Sequence, residues 1–279
     1  MAFVLIFDAD NTLWDTNAVF QAAHIAMLEV FEQAQLLAHA PSHIAPLRAI
    51  DRALMRHYGR HEYDFKTLIA ALAYHYLHGF SPDQAAAYAA AKGEAEFDAT
   101  MRLLIQNAYD VHVRALAELP PLFPGVMEML RHLHTSRASL RHLSVVMFSE
   151  GHPARLEQTI EAHCMRQVSY FNEIVMDRKS VDAFKRVGAL GRRYLADAKT
   201  RDVTTIVVGD SIPRDIRYAK AAGFTTVYIP SQFQEWEAPQ TAMDRPDFQL
   251  ASLLELPALF ASLGLQLLDW GVRPPSDTP

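Results

Sequence analysis

The sequence of 279 residues has little cysteine, no long apolar run and no excess of basic charge. Its single cysteine, Cys164, excludes an intramolecular disulfide and fits a reducing compartment. No apolar stretch approaches the ~20 residues that span a bilayer, and the apolar N-terminus is too short for a signal peptide. A net charge of −6 argues against nucleic-acid binding through phosphate contacts. We therefore expect a soluble, cytoplasmic protein that binds neither membranes nor nucleic acids. Nothing in the sequence indicates an oligomeric state.

The apolar residues, which make up half of the chain, change their spacing along it. From residue 19 to about 119 they recur at helical spacing, without a strand-like run. After Pro124-Gly125, helical segments alternate with short apolar strands. Strands are predicted at residues 3–6, 143–148, 171–175, 204–208 and 225–229. Helices are predicted at residues 126–133, 155–163, 181–195, 213–223 and 250–263. This alternation predicts an α/β fold, with a parallel sheet that helices cover on both faces.

Two carboxylates, Asp8 and Asp10, follow the first predicted strand almost directly. Open α/β sheets bind their ligands at the carboxyl ends of the strands. Two neighbouring acids repel each other unless a cation or a proton lies between them. The pair therefore predicts a hard metal ion bound by oxygen. The alternative is that both residues only cap the following helix, and an isolated pair would favour that alternative.

Three later segments favour the metal-site interpretation. The predicted strand 143–148 is followed by Ser149-Glu150-Gly151, and the strand 204–208 by Gly209-Asp210 and, five residues on, Asp215. Lys179 lies between these segments in a short basic stretch. A DxDxT, a strand-terminal Ser, a Lys and a GDxxxxD, in this order, resemble the four motifs of the haloacid dehalogenase (HAD) superfamily. Most members of that superfamily are phosphatases.

The resemblance implies an architecture and an activity. The fold is expected to be a Rossmann-like, doubly wound parallel sheet formed by residues 1–16 and 120–279. Residues 17–119 would form an all-helical cap domain, inserted between the first and second motifs. The implied activity is that of a magnesium-dependent phosphomonoesterase acting on a small phosphorylated metabolite.

The resemblance also implies a role for each acidic residue. Asp8 would attack phosphorus to form an aspartyl-phosphate. Asp10 would protonate the leaving oxygen and then deprotonate the hydrolytic water. Mg²⁺ would be held by the Asp8 carboxylate, the Asp10 backbone carbonyl and Asp210, with Asp215 close by. The ion would offset the repulsion between these carboxylates and the phosphate.

The remaining motif residues are expected to bind the phosphoryl group. Thr12, Ser149 and the amides of Glu150 and Gly151 would contact its oxygens. Lys179 would neutralise the nucleophile and the charge of the transition state.

The chain departs from the usual motifs at three positions. Asn11 stands where Gly is commoner, and Arg214 where many relatives carry Asn. Lys179 is followed by Ser-Val rather than Pro-Asp, so Lys185 is a second candidate for the third-motif lysine. We favour Lys179, because Lys185 lies within the helical apolar run 181–187 and should point away from the strand ends.

Two other functions, those of a phosphomutase and of a non-catalytic binding protein, fit part of this pattern. Asp10 argues against a dehalogenase or a phosphonatase, since these enzymes lack an acid there. A phosphomutase of the same fold also keeps this acid. A non-catalytic member would use the site only to bind a small molecule.

A row of arginines in the predicted cap leaves two interpretations open. Arg48, Arg52, Arg56 and Arg60 recur every fourth residue, and the first three would lie along one edge of a helix that ends at Gly59. The row is either a solvated surface or a contact for a second anionic group of the substrate.

Overall fold

The computed structural model describes residues 1–59, 63–139, 142–196, 202–231, 239–265 and 267. Arg60 of the arginine row lies outside these residues. The chain divides into two compact units, one formed by Met1–Asn17 and Pro120–Pro279 and the other by Ala18–Leu119. No helix among the described residues has both the length and the apolar character needed to cross a membrane.

The first unit is built on a six-stranded parallel sheet. Its strands are β1 (Ala2–Phe7), β2 (Leu143–Ser149), β3 (Glu173–Met176), β4 (Val203–Gly209), β5 (Thr225–Tyr228) and β6 (Phe248–Gln249). Their order is β3-β2-β1-β4-β5-β6, and all neighbouring pairs run parallel. The chain order therefore reverses next to β1, which is where ligands bind in sheets of this kind. The predicted α/β, Rossmann-like doubly wound fold is confirmed.

The described part of the chain contains ten α-helices. They are α1 (Thr16–Gln33), α2 (Ile44–Tyr58), α3 (Phe65–His78), α4 (Pro82–Lys92), α5 (Ala99–Leu116), α6 (Val126–Ser139), α7 (Pro153–Ala162), α8 (Val181–Arg192), α9 (Arg217–Ala221) and α10 (Leu256–Ser262). Helices α2 to α5 belong to the second unit, and α6 to α10 to the first.

The residues of β1 alternate between two apolar clusters. Phe3, Leu5 and Phe7 share one cluster with residues of α6, α7 and α10. Val4 and Ile6 share the other with residues of α8 and α9. Successive side chains of a strand point to opposite faces, so a strand covered by helices on both faces is apolar throughout. This double burial explains the unbroken apolar run at the start of the sequence.

The structure differs from the sequence-based prediction at the borders of several elements. Strand β3 starts at Glu173 rather than at residue 171, because the side chain of Asn172 accepts a hydrogen bond from the Val145 amide. Strand β6 was not predicted. It has only two residues, which pair with β5. The predicted helix 250–263 is divided into a 3₁₀ turn, Leu253–Glu255, and the α-helix α10. Helix α10 has Pro257 in its first turn, where the missing amide is tolerated.

The second unit has a hydrophobic core of its own. Phe31 of α1, Leu54 of α2 and Leu72 of α3 are among its fully buried members. Helix α4 begins with a capping box between Ser81 and Gln84. Across the described part of this unit, the regular structure is entirely helical.

Candidate active site

The carboxyl ends of three adjacent strands bring the predicted motifs together. Strand β1 pairs with β2 on one side and with β4 on the other, and Phe7 is level with both Met147 and Val208. Asp8 follows β1, Ser149 ends β2, and Asp210 follows β4. Parallel neighbours place these three residues at one edge of the sheet.

Lys179 connects two buried aspartates at this edge. Asp8, Lys179 and Asp215 are 4%, 6% and 1% exposed. The Lys179 Nζ donates to Asp8 Oδ1 and, at 2.6 Å, to Asp215 Oδ1. Lys185 lies on the exposed side of α8. Of the two candidate lysines, Lys179 is therefore the one that contacts the predicted nucleophile.

The electrostatics of this cluster follow from its burial. Burial removes Asp8 from water and raises its pKa to about 7, although the ammonium of Lys179 acts in the opposite direction and lowers this pKa. Burial also opposes the charge on Lys179, yet the carboxylates of Asp215 and Asp8 outweigh it and raise the pKa of the lysine. The lysine thus keeps its charge, and the Asp8 carboxylate depends on a nearby cation to keep its own.

Three carboxylates form a group with the spacing of a metal site. One oxygen each from Asp8, Asp210 and Asp215 lies within 4.8 Å of the other two. The ammonium of Lys179 balances only one of these three negative charges. Carboxylate oxygens are hard ligands, and a group of them at the carboxyl ends of parallel strands fits Mg²⁺. The residues present therefore fit the ion that the motifs imply.

A glycine makes room for Asp215. A Cβ on Gly209 would come within 2.3 Å of the Asp215 Cγ. Asp215 lies in a π-helical turn, Ile212–Ile216, and its Oδ2 accepts a hydrogen bond from the Ser211 amide at 3.1 Å. Sequence reasoning missed this role of Gly209, although its place directly before Asp210 was a signal.

The turn after β2 combines the predicted phosphate-binding residues. The Gly151 amide donates to Ser149 Oγ at 3.3 Å. The Glu150 carboxylate accepts from the Lys179 amide at 3.1 Å, so this side chain holds the segment that carries the lysine. A Cβ on Gly151 would lie 2.3 Å from Asp10 Oδ2. The turn thus lies directly against the second carboxylate of the first motif, which requires glycine at this position.

The first motif folds into a tight turn after β1. Asn11 has a positive φ of 58°, a conformation that asparagine tolerates better than most residues, which explains how it replaces glycine. Thr12 is buried, and its hydroxyl is 3.4 Å from Asp8 Oδ2. Asp10 Oδ1 accepts hydrogen bonds from Trp14 Nε1 at 2.9 Å and from Thr16 Oγ1 at 2.5 Å. Sequence reasoning did not identify these two donors.

The first three arginines of the row, Arg48, Arg52 and Arg56, lie on α2 in the second unit. Gly59 ends this helix in the left-handed conformation, as predicted. Arg56 pairs with Asp83 at 2.6 Å, and both side chains are mostly exposed. Such a surface pair contributes little to stability. Arg48 and Arg52 are half-buried.

Comparison with known proteins identifies the family. A family model described as haloacid dehalogenase-like hydrolase matches residues 4–223. The chain belongs to the HAD-like hydrolase family. This assignment confirms the resemblance carried by the four motifs and makes the protein a hydrolase by family. No curated protein matches the sequence.

Solved structures share the fold of this HAD-like hydrolase. A haloacid dehalogenase-like family hydrolase from Xanthomonas campestris has a TM-score of 0.57 and 18% identity, covering 94% of this chain and 96% of that one. The HAD-hydrolase YfnB from Bacillus subtilis, solved bound to magnesium, has a TM-score of 0.54 and 18% identity. It covers 93% of this chain and 99% of its own. At this identity the similarity supports the fold.

Proposed function

We propose that this HAD-like hydrolase is a magnesium-dependent phosphomonoesterase that acts on a small phosphorylated metabolite through an aspartyl-phosphate. The observation that carries the proposal is the buried contact of Asp8 with Lys179, beside the carboxylates of Asp210 and Asp215. A fixed ammonium on one oxygen of a buried carboxylate supports the role of nucleophile over that of a helix cap.

The reaction has two displacements at phosphorus. In the first, an Asp8 oxygen bonds to phosphorus while the bond from phosphorus to the ester oxygen breaks, and Asp10 gives its proton to that oxygen. In the second, water attacks phosphorus and gives a proton to Asp10, which releases phosphate and the Asp8 carboxylate. Each displacement leaves Asp10 ready for the other.

The surrounding residues supply charge and orientation. Lys179 neutralises Asp8 and the developing charge on the phosphoryl oxygens. Thr12, Ser149 and the amides of Glu150 and Gly151 bind those oxygens. Mg²⁺, held by Asp8, Asp210 and the Asp10 carbonyl with Asp215 nearby, would offset the repulsion between the carboxylates and the substrate.

The helical unit is part of the proposal. It is inserted between the first and second motifs and has its own core. We assign residues 17–119 the role of a cap domain that selects the substrate, and residues 1–16 and 120–279 the role of the catalytic core. The partner is accordingly a small phosphorylated molecule.

A screen of purified protein against phosphorylated metabolites, with Mg²⁺ and with EDTA, tests the proposal. We expect phosphate release that requires Mg²⁺ and is lost in Asp8→Asn. Formation of an isomeric phosphate ester without phosphate release would identify a phosphomutase. Binding of the metabolites without turnover would identify a non-catalytic member. Phosphate release by Asp8→Asn at the wild-type rate would contradict the covalent mechanism.

A further inference from the structure

The indole of Trp14 has a polar partner in the candidate site. Trp14 is 1% exposed and packs in the apolar cluster on one face of the sheet. Its Nε1 donates to Asp10 Oδ1 at 2.9 Å, and the Thr16 hydroxyl donates to the same oxygen at 2.5 Å. The Asn11 amide donates to the Trp14 carbonyl at 2.8 Å, which ties the backbone of the turn to the same residue.

These contacts distinguish the two oxygens of Asp10. Two protein donors occupy Oδ1, whereas Oδ2 lies against Gly151, where a Cβ would be only 2.3 Å away. Gly151 belongs to the turn that we propose binds the phosphoryl group. Oδ2 is thus the carboxylate oxygen directed toward the phosphoryl-binding turn, and Oδ1 is the oxygen that holds the side chain in place.

We propose that Trp14 is a positioning residue for Asp10, whose N–H fixes the carboxylate with Oδ2 directed at the ester oxygen. This inference rests on the proposed phosphomonoesterase function. A hydroxyl such as that of Thr16 rotates about its C–O bond, whereas an indole packed in the core holds its N–H in one direction. Proton transfer depends steeply on such orientation.

The test compares esters that need a proton donor with one that does not. The quantity measured is kcat/KM with Mg²⁺ for a simple alkyl phosphate and for 4-nitrophenyl phosphate, whose leaving group departs without protonation. Trp14→Phe keeps an aromatic ring and removes the N–H. We expect it to lower kcat/KM about tenfold or more for the alkyl ester, and less than about twofold for the nitrophenyl ester.

Two further variants separate orientation from packing. Leu122 is paired with Trp14 through the backbone and packs against the same cluster, so Leu122→Ala disturbs packing and keeps the N–H. We expect it to change both esters by the same factor. Benzothienylalanine at position 14 keeps the bicyclic shape without the N–H. It should reproduce the selective loss even if Trp14→Phe folds poorly.

The possible outcomes separate this inference from the proposed function. If the wild-type enzyme hydrolyses both esters, and removal of the N–H leaves their ratio of kcat/KM unchanged, the inference is overturned and the proposed function stands. If the wild-type protein hydrolyses neither ester nor any other phosphate ester, the proposed function is overturned and the inference with it.

Discussion

Lys179 is the residue that allows two buried aspartates to face each other. Its ammonium donates to both Asp8 and Asp215, and these contacts are shielded from water. Removing one member of a buried ion pair leaves an uncompensated charge, which costs about 3–5 kcal/mol of stability. In the proposed reaction the same charge would act on the substrate phosphate, so both stability and catalysis would depend on this side chain.

The two candidate lysines give the first prediction. Lys179→Ala should lower kcat for a phosphate ester by about two orders of magnitude or more, because it removes a fixed positive charge from the phosphoryl site. Lys185→Ala is the matched control, since Lys185 is exposed on α8 and should retain wild-type activity. Steady-state phosphate release checks both variants. The reverse ranking would show that Lys185 is the catalytic lysine.

The nucleophile gives the second prediction. Asp8→Asn keeps the shape of the side chain, so we expect a folded protein whose phosphatase activity is abolished. Asp177→Asn is a suitable control, because Asp177 is an exposed partner of Arg186 on the surface. Phosphate release and thermal unfolding should be measured side by side. A variant that unfolds like the wild type yet still turns over at its rate would rule out Asp8 as the nucleophile.

The sequence predicts the positions of the motif residues but not all of their partners. The sequence identifies Asp8 and Asp210 because each follows a predicted strand. It identifies Asp215 by its short distance from Asp210. The contact of Glu150 with the Lys179 amide depends on how two separate loops approach each other. The contact of Trp14 with Asp10 depends on how the turn of the first motif folds back on itself. No periodicity or spacing in the sequence encodes such approaches.

At the scale of elements, the sequence predicts the helices and strands whose residues form a recognisable apolar pattern. Strand β1 is visible as an apolar run because helices cover both of its faces. Strand β6 is not visible, because two residues carry no period and its existence depends on pairing with β5. The π-helical turn that carries Asp215 likewise reads as ordinary helix in the sequence.

Helices α1, α3 and α5 meet in a stack of rings within the second unit. Phe65 stacks on His112 with 3.8 Å between ring centroids, and His24 lies 5.3 Å from His112. Burial, followed by the charge of Arg48, lowers the pKa of His24 to about 4. Burial, followed by the proximity of His24, lowers the pKa of His112 to about 3. Both imidazoles are therefore neutral when this unit is folded.

This stack gives the third prediction, which concerns acid stability. In the unfolded chain both histidines titrate near pH 6.5, so between about pH 6.5 and 4 the unfolded state binds more protons than the folded state. The contribution of the two histidines to the free energy of unfolding should be fully present above pH 6.5 and should fall as the pH decreases through this window. Urea unfolding at several pH values measures this dependence.

The variant His112→Phe should reduce that dependence, because it removes one of the two groups that take up protons on unfolding. His57, which is exposed on α2, provides the control variant His57→Phe, which should keep the wild-type dependence. Equal pH dependence in the wild type and in His112→Phe would show that the stack does not govern acid stability.

At the scale of the whole molecule, the candidate metal site and the second unit depend on different parts of the chain. The three carboxylates follow β1 and β4 or lie in the turn after β4, so all belong to the unit formed by Met1–Asn17 and Pro120–Pro279. Asp8 is far from Asp210 and Asp215 in the sequence and approaches them only when the sheet forms. The unit Ala18–Leu119 supplies none of them and has a separate core.

The last prediction is that Mg²⁺ stabilises one unit and not the other. A ligand that binds only the folded state stabilises it by RT ln(1 + [L]/Kd), about 2.7 kcal/mol at a hundredfold excess over Kd. Calorimetry with Mg²⁺ and with EDTA should therefore show a rise in the unfolding temperature of the sheet unit. A separate transition of the helical unit should keep its temperature. Asp210→Asn should abolish most of the rise, because it removes one of three ligands, whereas Asp177→Asn should not. If Mg²⁺ raised the unfolding temperature of Asp210→Asn as much as that of the wild type, the ion would bind elsewhere. If Mg²⁺ raised the unfolding temperatures of both units equally, the unfolding of the two units would be coupled.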